Sequence, residues 1–141
     1  MRVMVLVKAN EESEAGKKPD ESSIMEMGNF NEELAKAGIL LEADGLFPSS
    51  RGKRVRFEDG QTAVIDGPFP ETKDLVAGYW IWKVDSIDDA VNWLRKAPFG
   101  GGAEVEIRPI ADLEEMGVEI TPEMREQEDR VWNLAQKNKA A

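Results

Sequence analysis

Asp66 is the residue on which chemistry could be centred. It closes the alternating run Val64-Ile65-Asp66 and opens Gly67-Pro68-Phe69-Pro70-Glu71-Thr72-Lys73. A carboxylate at such a turn can serve as a general base if it faces a substrate proton. It can equally accept backbone N–H groups of the turn and pair with a neighbouring cation. Asp66 is therefore the candidate catalytic residue, with a structural role as its competitor. Arg51, Lys53 and Lys73 could orient an anionic group beside it, and Tyr79, Trp80 and Trp82 could supply an aromatic wall. These six are the candidate ligand-binding residues, although tryptophans more commonly pack a core or an interface.

The residue types that are missing narrow the chemistry further. The 141 residues include no histidine and no cysteine, which removes Ser-His-Asp and Cys-His mechanisms from the chain alone. Thiolate zinc sites, iron–sulfur clusters and disulfides go with them. Asp85, Asp88 and Asp89 read as helix-start charges that complement the helix dipole, without the pattern of a calcium loop. Gly100-Gly101-Gly102 is not followed by a helix at phosphate-loop spacing. No cofactor and no metal is predicted.

The elements that must position these groups follow from periodicity. Arg2 to Lys8 carries Val3, Val5 and Val7 on one face and Met4 and Leu6 on the other, which predicts a central strand. Ala9 to Glu21 reads as a polar loop. Ser22 or Ser23 can cap a helix with Ile24, Met27, Phe30 or Asn31, Leu34 and Ala37 at helical spacing and Gly38 beyond its end. Ile39 to Phe47 reads as a strand interrupted at Asp44-Gly45. Arg54 to Glu58 and Gln61 to Ile65 flank Asp59-Gly60 and predict a hairpin with a type I′ turn, whose register sets Lys53 opposite Asp66.

The two prolines of Pro68-Phe69-Pro70 force the chain out of that hairpin. Leu75 to Val84 then predicts a strand with both faces apolar. Ser86 starts a second helix that Pro98 and the glycine run end, Ala103 to Pro109 gives an edge strand, and Thr121-Pro122 starts a C-terminal helix. The order is a βαββαβ plan with an inserted hairpin, a ferredoxin-like α+β sandwich. Two helices cover one face of such a sheet, so the apolar second face points to a two-fold homodimer with sheets face to face.

Length favours one domain over residues 1–141, with a core over 1–110 and a helical C-terminal extension over 111–141. The formal charge of −10 disfavours direct nucleic-acid binding. No apolar run reaches the roughly 20 residues of a membrane span, and Met1 to Val7 lacks the features of a signal peptide. A cytoplasmic protein without membrane contact is expected.

Asp66-Gly67-Pro68-Phe69-Pro70-Glu71-Thr72-Lys73 resembles the DGPF branch of the YCII-related proteins, together with Gly38-Ile39-Leu40-Leu41 and Gly45-Leu46-Phe47-Pro48-Ser49-Ser50 before it. The likeness extends through Gly78-Tyr79-Trp80 and Ala103-Glu104-Val105-Glu106-Ile107-Arg108-Pro109 and so covers about residues 1–110. It implies a dimeric α/β barrel. It also implies a histidine-aspartate pair in a cleft, of which this chain could supply only Asp66. In some members of the branch it implies a link to transcription initiation through sigma factors.

Three function classes follow. The first is a non-catalytic homodimeric domain that binds a small molecule or a protein partner. The second is a cofactor-independent enzyme with Asp66 as general base in an inter-sheet cleft. The third is a transcription-related regulator that contacts a basic protein partner such as a sigma factor, which the acidic charge would permit.

Overall fold

The structure, a computed structural model, describes residues 1–141. The chain forms two compact units, Met1–Ile110 and Ala111–Ala141.

The first unit is built on an antiparallel sheet of β1 (Arg2–Lys8), β2 (Leu40–Gly45), β5 (Val76–Lys83) and β6 (Val105–Pro109), in the order β2-β5-β1-β6. With α2 (Glu21–Lys36) after β1 and α3 (Ile87–Leu94) after β5, this is the ferredoxin-like βαββαβ topology. β1 lies inside the sheet, paired with β5 on one side and β6 on the other, while β6 forms an edge. Between β2 and β5 the chain makes a separate two-stranded hairpin of β3 (Lys53–Glu58) and β4 (Gln61–Asp66).

Register sorts the side chains onto two faces, because directly paired residues share a face. Val3 pairs with Trp82 and Val5 with Trp80, and all four are buried against Phe30 and Leu34 of α2 and Ala90 of α3. Phe30 meets Trp80 edge-on at 5.9 Å and Trp82 at 6.3 Å between ring centroids. Such aromatic pairs contribute about 0.5–1.5 kcal/mol each beyond their burial. Met4 pairs with Ile81 and Leu6 with Tyr79 on the opposite face, where all four are half-buried.

Several local expectations are corrected. The Ala9–Glu21 segment contains a short helix α1 (Glu11–Glu14), closed by reciprocal bonds between Asn10 and Ser13. Asp20 caps α2 in place of Ser22 or Ser23, accepting from the Ser23 N–H at 2.7 Å, because a carboxylate one step upstream reaches the orphan donor. Asp44-Gly45 continues β2 rather than interrupting it, since both residues pair with β5. In the hairpin turn only Gly60 adopts positive φ, so the turn is not type I′, although Lys53 does face Asp66. Ile24 on α2 and Ala37 at its C-cap are exposed, and the buried stripe narrows to Phe30 and Leu34.

In the second unit, Thr121 caps α4 (Pro122–Ala140), with Met124 N–H donating to its hydroxyl at 3.2 Å. Arg125 reaches back to Glu114 at 3.2 Å. No helix of the chain is long and apolar enough to cross a membrane.

Candidate functional site

Asp66 ends β4, and its carboxylate pairs with Lys53 Nζ across the hairpin. The side chains of Lys53 and Asp66 are 66% and 75% exposed, so the pair stands in water rather than in a cleft. An ion pair this solvated contributes at most about 1 kcal/mol. The turn that follows is far more tightly fixed. Gly67 N–H donates to Gly52 O at 3.0 Å, and Phe69 N–H donates to Ser49 Oγ at 3.0 Å. Ser49 is itself held by Glu14, which accepts from the Ser49 N–H at 2.9 Å and from its hydroxyl. Three segments remote in sequence are thereby locked together.

The aromatic candidates lie elsewhere. A cleft of about 270 Å³ opens beside α2, lined by Val7, Met27, Asn31, Ala43, Trp80 and Phe99 among others. Trp80 Nε1–H donates to Asn31 Oδ1 at 2.7 Å, which fixes the amide with its oxygen toward the indole. The Asn31 amide nitrogen makes no bond within the fold and remains available as a donor. Tyr79 and Asp44 border the same cleft, but their side chains belong to the opposite sheet face. There burial, and then the charges of Asp44 and Glu42, push the Tyr79 phenol above its ordinary pKa. Trp82 is fully buried, its Nε1–H has no partner, and it lines none of these cavities.

The cationic candidates are dispersed as well. Arg51 borders a cavity of about 450 Å³, and its guanidinium lies 3.7 Å from the centroid of the Phe47 ring. Arg54 lines the same cavity, stacks at 3.8 Å on Phe69 and contacts Glu71 at 3.5 Å. Lys73 borders a further cavity of about 310 Å³ with Asn10 and Glu104. Of the seven sequence candidates, the structure thus joins only Asp66 with Lys53; Tyr79 and Trp80 point to opposite faces of β5, and no cation is brought to either. No three carboxylates converge as they would to hold a metal ion.

Asn31, Ser49 and Glu14 are functional candidates that sequence reasoning passed over. For Asn31 a signal existed, since it is a polar residue within the apolar stripe Met27, Phe30 and Leu34. For Glu14 and Ser49 none did, because 35 residues separate them.

A family model for the YCII-related domain matches residues 1–114. An uncharacterized protein of Rhizobium meliloti (strain 1021) is 31% identical over 99 residues, which span 67% of this chain and 78% of that one. Among solved structures, the chain is similar to the 5-chloro-2-hydroxyhydroquinone dehydrochlorinase of Burkholderia phenoliruptrix, in complex with 2,5-dihydroxybenzoquinone. That match has 16% identity and a TM-score of 0.40, covering 81% of this chain and 98% of the other.

Proposed function

This chain belongs to the YCII-related family, and we propose that it is a non-catalytic homodimeric domain that binds a small, largely apolar molecule bearing a carbonyl oxygen. The observation that carries this reading is the Trp80–Asn31 hydrogen bond at the wall of the α2 cleft. An indole N–H can only donate, so it holds the amide oxygen and leaves the amide nitrogen to donate to a ligand. Around that donor stand Val7, Met27, Ala43 and Phe99. A few placed polar groups in an apolar concavity are the usual makings of small-molecule recognition. The half-buried row Met4, Leu6, Tyr79 and Ile81 on the far side of the sheet supports a second copy as its cover.

Asn31→Asp tests the cleft. The carboxylate still accepts from Trp80, so the fold is retained, but the donor becomes an acceptor. Apolar ketones or amides that raise the melting temperature of the wild-type protein should lose affinity about tenfold or more in the variant, the scale of one lost hydrogen bond with repulsion added. Hits that bind the variant equally well would place the ligand elsewhere.

A further inference from the structure

We infer that the cavity between the Pro48–Gly52 loop and the Gly67–Phe69 turn is a second, independent binding site, for an organic monocarboxylate with an apolar body. Its volume of about 450 Å³ suits a small molecule. Leu46, Phe47, Phe69 and Leu75 give it apolar walls. Two guanidiniums line it, each centred over an aromatic ring, Arg51 at 3.7 Å from the Phe47 centroid and Arg54 at 3.8 Å from that of Phe69. A ring contact of this kind restrains a guanidinium, whose forked donors can grip a carboxylate through two parallel bonds.

The charges are only partly engaged by the fold. Arg51 is stacked without a carboxylate partner, and Arg54 meets Glu71 only at 3.5 Å with both side chains about half exposed. The floor is rigid, because the Glu14–Ser49–Phe69 bonds and the Gly67–Gly52 bond join its segments. The Glu14 carboxylate, already accepting from Ser49, is part of the same lining. Two carboxylates therefore stand against the two arginines, Glu14 in the lining and Glu71 beside Arg54, and a site with no surplus positive charge favours a singly charged ligand over a doubly charged phosphate.

The test uses naphthoate as probe, with naphthoate methyl ester and naphthyl phosphate beside it, followed by amide chemical shifts of the full chain. Naphthoate should move the resonances of Phe47, Ser49 and Phe69, and bind about tenfold or more tighter than either comparison compound. The double variant R51Q/R54Q should lose that preference while resonances away from the cavity stay in place, and Asn31→Asp should leave naphthoate binding unchanged. The inference is overturned by no shifts at millimolar naphthoate, by shifts confined to the Asn31 cleft, by equal binding of the ester, by tighter binding of the phosphate, or by R51Q/R54Q binding as wild type does. Because the α2 cleft is read from its own resonances and its own variant, either site can fail without the other.

Discussion

At the scale of single residues, Tyr79 offers the cleanest readout, since it is the only tyrosine in the chain. Burial first, then the neighbouring charges of Asp44 and Glu42, make its ionisation harder. Absorbance titration of tyrosinate should give a pKa above the ordinary 10.0, and Asp44→Asn should bring it part of the way back. The folded state holds this proton more tightly than the unfolded chain does. The associated stability is therefore fully present below the ordinary value and is lost as pH rises through the raised one. A titration at or below the ordinary value would contradict the placement of Tyr79 beside those carboxylates. The pairing of Asp66 with Lys53 could be anticipated from hairpin register, because β pairing alternates with a strict period of two. The pairing of Asn31 with Trp80 could not, since it depends on how a helix is rotated over a sheet 49 residues away.

At the scale of elements, the Gly67–Phe69 turn matters more for its docking than for its carboxylate. A Cβ on Gly67 would fall 1.7 Å from the Ser49 carbonyl oxygen, a clash with backbone that no rotamer change can relieve. Gly67→Ala should cost about 3 kcal/mol or more in chemical denaturation, the upper range of overpacking. Gly52→Ala makes the control: its Cβ would meet the same oxygen at 3.4 Å, so a loss under about 1 kcal/mol is expected. Equal losses at the two glycines would show that the turn is not seated on the loop. Strands and helices were legible because each carries its own period and caps. The short helix at Glu11–Glu14 was less so, having four residues and no buried face. The docking of turn on loop left no trace in composition, because it joins backbone groups to the side chains of Ser49 and Glu14, which lie far from the turn in sequence.

At the scale of the molecule, two apolar surfaces of the first unit ask for cover. One is the sheet face with Met4, Leu6, Tyr79 and Ile81; the other is the hairpin face, where Val55, Phe57 and Val64 are exposed and Val55 pairs with Val64. Light scattering at micromolar concentration should give about twice the 15.7 kDa chain mass, and Leu6→Glu should return it to one chain with unchanged circular dichroism. A monomeric wild type would leave the sheet face without its proposed partner. The sequence by itself determined the βαββαβ order, the central place of β1 and the register of Lys53 against Asp66, because periodicity and turn chemistry are local. It also showed that these 141 residues supply no histidine or cysteine for a mechanism of their own. Only the tertiary structure decided that Trp82 is sealed in the core while Trp80 borders a cleft, although the two share one strand face. Only it decided that Asp66 stands in water while the turn it opens builds a cavity wall. The physical reason is the same in both cases: alternation assigns a side chain to a face, but what covers that face is set by helices and loops far away in the chain.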